Sequence, residues 1–409
     1  MRPSESGTRE SISGPEIERE TGGSLGRGTV KLTAADSIEE LTRHAEAWDR
    51  LYELSVSMVH TLSHAWVSSF LEHQCCPGES WLCIFAHDGD ELVGVLPVIA
   101  KKSSTVGVPC TLLSTPGNPD TVSIDILCRP GFEHSVIPQM LESLSKYFPH
   151  WFKFCMTRLS QLSPTLSLAT EGHHNYLWYR DVNGQGCLVY SEGDFEEYLK
   201  SLRDKFARNL RRVGRKFDAL PESETIFLTG ELATEKYLEE FIEIEASGWK
   251  GRNGTAIKQD ERQSAFYRTL VQRLAAGGWL EWHLLKAEGK TIAIHMAVRA
   301  GSALVLLKIA FDENFSSIAP GNILMERTIK RAFVAEDITE VNCLTDMAWN
   351  RNWNMPCRTY YDLTLWPKRS LSYATGYLPA RIRDMVRDLP GAKPAYHRIK
   401  KLLNRAEQT

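Results

Sequence analysis

Between Trp279 and Phe333 the sequence gathers residue types that can do chemistry. Lys308 lies inside the apolar string Leu306-Leu307-Lys308-Ile309-Ala310, and Asp312 follows just beyond it. A buried ammonium is costly unless it is paired. Such a lysine can polarise a carbonyl or bind a carboxylate, with Asp312 as its partner or as a general base. A structural Lys–Asp pair that ties a strand end to a loop explains the same two residues equally well. His295, within Ile294-His295-Met296, has an ordinary pKa of about 6.5 and can take a proton near neutrality, although a satisfied core histidine is the commoner role. Further on, Pro320-Gly321-Asn322 opens a helical spacing of apolar residues at Ile323, Leu324, Ile329, Ala332 and Phe333. A helix start offers unpaired backbone N–H groups and a positive dipole end, a seat for a pyrophosphate. Gly321 lets the backbone approach a ligand and Pro320 pre-sets the turn.

These residues need a frame. Leu280–Leu285, Thr291–Val298 and Ala303–Ile309 read as three strands joined by turns at Glu288-Gly289 and Ala300-Gly301, an antiparallel meander feeding the Pro-Gly helix. Period-2 counting puts His295 on one face with Ala293 and Ala297, whose small size leaves room for a ligand. Ile338–Leu344 reads as the next strand, followed by Asp346, Trp349 and Arg351, and Tyr360–Leu365 as the last. Upstream, Asp194–Asp218 reads as one amphipathic helix capped by Asp194, with Arg203, Lys205, Arg208, Arg211, Arg212, Arg215 and Lys216 on its polar face. Trp249 and Lys250 fall in a Gly-rich loop. In the first half, helices over Ile38–Ser57 and from His64 precede a hairpin across Asp88-Gly89-Asp90. Strands over Thr111–Ser114, Ser123–Cys128, Phe152–Leu159 and Leu177–Tyr179 and a helix over Ser135–Phe148 follow. The pattern restarts near Val182–Ser191.

The string from Trp279 through Ala332, with Gly289-Lys290, Lys308-Ile309-Ala310-Phe311-Asp312 and Ala319-Pro320-Gly321, resembles the acyltransferase domain of GNAT-fold proteins of the CelD type, a group named for a member linked to cellulose biosynthesis and related to the FemABX peptidyltransferases. The resemblance takes in Ser201–Lys216, Ser247–Gly251 and the stretch to Trp353, and more loosely Trp66–Ile99 and Thr115–Leu127. It implies transfer of an acyl group from a thioester, most often acetyl-CoA, to an amine or hydroxyl. Carried over residue by residue, Ser317, Pro320, Gly321, Asn322 and Ile323 would cradle the donor's phosphates. Lys308, Asp312, His295 and Asp346 would be the catalytic candidates, and Trp249, Lys250, Trp349 and Arg351 would line the acceptor. Asn350 stands where the family usually shows a lysine, with Arg351 as a substitute donor. The Q/R-x-x-G-x-G/A loop of mainstream GNAT enzymes is missing.

Composition bounds the rest. The 409 residues, 43% hydrophobic and 24% charged, suit two or three globular domains. A net charge of −3 disfavours a general nucleic-acid binder. No apolar run approaches the ~18 residues of a membrane span. The nine cysteines include no C-x-x-C pair, so neither a zinc site nor a disulfide framework is expected, and buried free thiols in a reducing cytoplasm are.

The expectation is therefore an α/β (α+β) chain of tandem GNAT-like domains, each a mixed, mainly antiparallel twisted sheet flanked by helices. Residues 1–28 form a disordered tail, 29–185 and 186–367 the two domains, and 368–409 a basic helical tail. The expected protein is a cytoplasmic acyltransferase that uses acetyl-CoA or another acyl-CoA, needs no metal, and acts on a small-molecule, sugar or peptide acceptor. It binds no specific DNA, and its basic segments can touch a membrane or tRNA. A Fem-like aminoacyl-tRNA-dependent transferase and a non-catalytic GNAT scaffold in a polysaccharide-synthesis assembly are the rivals.

Overall fold

Alternating apolar residues build, among the described residues, thirteen strands that join in one sheet. The computed structural model of the protein describes residues 30–55, 59–118, 121, 123–171 and 176–388. The strands are β1 (Lys31–Ala35), β2 (Glu79–Asp88), β3 (Glu91–Thr105), β4 (Val108–Ser114), β5 (Leu127–Cys128), β6 (Trp151–Ser160), β7 (Tyr176–Tyr190), β8 (Glu224–Leu228), β9 (Leu280–Ala287), β10 (Lys290–Ala300), β11 (Ala303–Phe311), β12 (Glu340–Asn342) and β13 (Cys357–Pro367). They run in the order β1-β2-β3-β4-β6-β13-β7-β12-β11-β10-β9-β8, with β5 beside β3. The fold is mixed α/β, a large mainly antiparallel sheet flanked by helices, as expected.

The two halves repeat one plan. In the first, the meander β2-β3-β4 leads through the helix Glu133–Tyr147 to β6, parallel to β4. In the second, β9-β10-β11 leads through the helix Pro320–Val334 to β12, parallel to β11. The closing strands then change places: β13 pairs with β6, and β7 pairs with β12. β7 and β13 also pair with each other, which stitches the halves into one sheet. Apolar residues of both halves share a core, where Trp66 meets Phe266 with ring centroids 5.1 Å apart.

Several elements differ from the sequence expectation. Asp194 caps a helix by accepting from the Glu197 N–H at 2.9 Å, but that helix ends at Ser201 and a second runs over Asp204–Asp218. Leu202 is extended and buried between them, so each piece can turn its own apolar side to the sheet. Ser123–Cys128 is strand only at Leu127–Cys128, because the Thr61 hydroxyl takes the Ser123 carbonyl and the Asp125 carboxylate takes the Ile126 N–H. Ile38–Ser57 splits into helices Ile38–Arg43 and Ala45–Leu54. Leu177–Tyr179 and the restart near Val182 are one strand, β7, which runs through residue 185. Cys187 and Cys357, facing residues of β7 and β13, form a disulfide, where free thiols were expected. The expected N-terminal tail lies outside the described residues, as do residues 389–409.

Candidate active site

β11 has a partner on one side for only part of its length. β12 pairs with Ala303–Val305 and stops, whereas β11 continues to Phe311. β12 ends early because the Asn342 side chain accepts the Leu344 N–H at 2.9 Å and Leu344 turns to φ 64°. On the other side of β11, Met296 faces Lys308 while Ala297 faces Leu306, so Leu307 is an extra, bulged residue that bends the strand away. Among the described residues no strand pairs with Leu306–Phe311 along this edge. The backbone of that stretch is left without a strand partner on this side, and the side chains of Ile309 and Phe311 are exposed beside it.

The helix Pro320–Val334 starts at the same place. Its N-cap, Ala319, has φ 50° and supplies no side-chain cap, while its carbonyl accepts from Asn322 (3.0 Å) and Ile323 (3.3 Å). Pro320 has no N–H, and the Gly321 N–H has no protein acceptor among the described residues. A Cβ on Gly321 would meet the Phe311 ring at 3.4 Å, an ordinary contact, so glycine here keeps the N–H accessible and is not demanded by packing. Ser317 is exposed in the preceding turn Glu313–Ile318, and Ile323 is buried beneath the helix.

Asp312 caps that turn through the Asn314 N–H at 2.9 Å. Lys308 is half-buried, its Nζ 5.1 Å from the centre of the Tyr267 ring. Trp249 and Lys250 lie in a short helix, Trp249–Arg252, where a loop was expected. Glu313 holds it against the Pro-Gly turn by accepting from the Trp249 N–H at 2.8 Å and pairing with Arg252 at 2.9 Å. Lys250 pairs with buried Glu245 at 2.6 Å, and Trp249 stays half exposed at the rim. The structure thus gathers Asp312, Ser317, Gly321 and Trp249 around one turn.

His295 is elsewhere. It shares a face with Ala293 and Ala297, as period-2 counting predicts, but the Pro-Gly helix fills the space above it and the ring is 1% exposed. Its Nδ1 lies 3.4 Å from Thr328 Oγ1, which is 3.0 Å from His283 Nδ1; His283 Nε2 meets Glu281 at 3.1 Å, and Glu281 accepts from Arg331 at 2.6 Å. Burial pushes Glu281 up, but the hydrogen bonds from His283 and Arg331 outweigh it and hold the carboxyl at about 2. Burial lowers the pKa of His283 against the pull of Glu281, and burial with the His283 ring nearby lowers that of His295 well below the usual value. Both rings are therefore neutral, and the network pins helix to sheet.

Beyond the end of β12, Asp346 and Arg351 are exposed and Trp349 is half-buried, around the helical turn Ala348–Trp353. Asn350 is buried, bonded to the Thr345 carbonyl at 2.9 Å. Sequence reasoning missed the first-half residue that reaches the end of this segment. Arg158 donates to the Asn183 carbonyl (2.8 Å) and the Leu344 carbonyl (3.4 Å) and lies 4.7 Å over the Tyr360 ring. Nothing in its local string signals this. The polar alternation of Glu281 and His283 in an apolar strand did carry a signal, a shared face that needs partners.

Residues 204–351 match the family described as acetyltransferase (GNAT) domain, a span that contains the meander, the Pro-Gly helix and the splayed strands. The match covers this segment and does not extend to the first half of the chain. Among solved structures it is similar to the crystal structure of FemX, with a TM-score of 0.54 and 11% identity, over 81% of this chain and 96% of that one. A conserved protein of unknown function from Bacteroides thetaiotaomicron VPI-5482 follows, at TM-score 0.49 and 16% identity over 79% and 97% of the two chains. A tandem GNAT protein from the clavulanic acid biosynthesis pathway gives 0.44 and 13% over 83% and 100%. At such identities the likeness to FemX concerns the fold alone, and the other two scores support no further argument. No curated protein matches the chain in sequence. Among the described residues no helix is long and apolar enough to cross a membrane.

Proposed function

We propose that the protein moves an acetyl or other acyl group from acyl-CoA to an amine or hydroxyl of a small-molecule or cell-envelope polysaccharide precursor, in the manner of the CelD type. The observation that carries this reading is the unpaired edge of β11 beside an uncapped helix start, within the segment that matches the GNAT family. The donor's pantetheine arm takes the place of a strand along Leu306–Phe311, and its pyrophosphate sits on the Gly321 N–H, with Ser317 and Asn322 at hand. A backbone N–H of β11 or the Lys308 ammonium polarises the thioester carbonyl. The acceptor's lone pair attacks the carbonyl carbon and the C–S bond breaks. The acceptor proton leaves to Asp312 or Asp346 or through water, and the departing thiolate is protonated from solvent. Trp249, Lys250, Trp349 and Arg351 hold the acceptor, while His295 supports the helix from beneath.

Calorimetric titration of the full chain with acetyl-CoA, longer acyl-CoAs and CoA tests the donor. Binding in about the micromolar range, lost in Gly321→Trp, supports the site. If no CoA species binds, the reading fails.

One observation favours a second reading. The helix Asp204–Asp218 packs on the Pro-Gly helix and its turn. Its exposed cations Arg208, Arg211, Arg215 and Lys216 have no partner among the described residues. Like charges three and four residues apart repel, so a phosphate-rich donor such as aminoacyl-tRNA would relieve them. Loss of transfer on ribonuclease treatment would select it.

A further inference from the structure

The last described helix, Leu378–Asp388, is docked with its apolar stripe outward. At about 100° per residue, Leu378, Ile382 and Met385 fall on one stripe and Ala380 on the opposite side. Ala380 is the residue that packs on the body, in a small cluster with Phe152, Tyr179 and Trp366. Arg383 lies 5.9 Å over the Tyr179 ring, and Tyr377 meets Trp366 at 6.0 Å. Leu378, Ile382 and Met385 are left 39%, 48% and 69% exposed. A helix that buries an alanine and shows its leucine, isoleucine and methionine to solvent leaves the hydrophobic gain of that face unrealised.

We infer that this helix lies on the surface of an anionic lipid bilayer, with Leu378, Ile382 and Met385 inserted at the headgroup boundary. Charge decides between the possible occupants. Arg381 is exposed beside the stripe, and from Leu378 to Thr409 the sequence carries eight Lys and Arg against three Asp and Glu. An apolar stripe flanked by cations suits a negatively charged membrane. Residues 389–409, with five Lys and Arg against one acidic residue, have the same sign as the helix and do not complement it. A second copy brings the same cations, and three side chains offer far less than the roughly 800 Å² per partner of a stable interface. Membrane contact of this kind is independent of which donor the protein takes.

Flotation of the full chain with phosphatidylcholine vesicles, with and without phosphatidylglycerol, tests the inference. The protein should float with the anionic vesicles, and added salt should release it. Ile382→Asp with Met385→Asp should weaken binding about tenfold or more, with acyl-CoA titration unchanged. Arg381→Ala should weaken it about fivefold at low salt. Should the double variant unfold, Met385→Ser, a milder change at the most exposed position, still has to lower the bound fraction. Failure of the wild type to float, or flotation of the variants equal to it, overturns the proposal. So does conversion of a wild-type dimer to monomer by the double variant in sedimentation, which would assign the stripe to a second copy.

Discussion

Thr328 sits between two histidines that neither solvent nor a substrate can reach. His283 Nε2 lies between Glu281 and the Arg331 guanidinium, and the Thr328 hydroxyl lies between the Nδ1 atoms of His283 and His295. The hydroxyl can donate to one ring nitrogen and accept from the other. Thr328→Val removes both of the hydroxyl's roles, and two buried ring nitrogens lose their partner. Stability should fall by about 1–3 kcal/mol, read as a lower Tm, with weaker donor binding if the same helix carries the proposed phosphate seat. An unchanged Tm would mean that the rings find other partners. Gly186 makes a comparable test beside Tyr360: a Cβ there would lie 2.8 Å from Tyr360 Oη and 2.9 Å from the Leu344 carbonyl. Gly186→Ala should therefore cost about 1–3 kcal/mol, and a neutral result would show that the packing around Tyr360 yields easily.

Among the elements, the meander was legible because alternation and glycine turns are local. The Pro-Gly helix was legible for the same reason. The feature that leaves the edge of β11 unpaired was not. Ile338–Leu344 has the composition of a longer strand, yet it pairs over only Glu340–Asn342, because one side-chain bond and one positive φ stop it. Propensity does not encode either. The break at Leu202 was hidden in the same way, since apolar steps of three and four continue through it. Ser317, Pro320, Gly321 and Asn322 could be located because a helix start is written in sequence. His295 could not be assigned from its strand alone, since what fills the space above it comes from thirty residues away. The strain at Ala319 yields a test. With φ 50° and no capping side chain, Ala319→Gly should raise stability by about 0.5–1 kcal/mol in chemical unfolding. A loss of stability would show that the surrounding turn holds alanine there without strain.

In the whole molecule, exchange of β7 and β13 between the halves and a core that spans both leave no seam at which one half could unfold alone. Calorimetry should show one transition, and two separated transitions would sink that expectation. Its acid limb has a direction that follows from the buried groups. Burial lowers His60 to about 3, and burial together with Arg273 lowers His64 to about 4; His283 and His295 are lowered as well. Groups held neutral in this way contribute stability that is whole above the ordinary histidine pKa of about 6.5 and is lost as pH falls toward the folded values. Asp49 and Asp125, raised to about 6 mainly by burial, act in the opposite sense and return some stability between about pH 6 and 4. Below that range the compensation ends. Glu281, held at about 2, then loses its contribution too. Tm should be level near neutrality, drift modestly down to about pH 4.5, and drop steeply below it. His60 has no partner at Nε2 among the described residues, so His60→Leu should shed the penalty for burying a base. The Tm of wild type minus that of this variant should then fall as pH drops from about 6.5 to 4, and a constant difference over that range would remove His60 from the account.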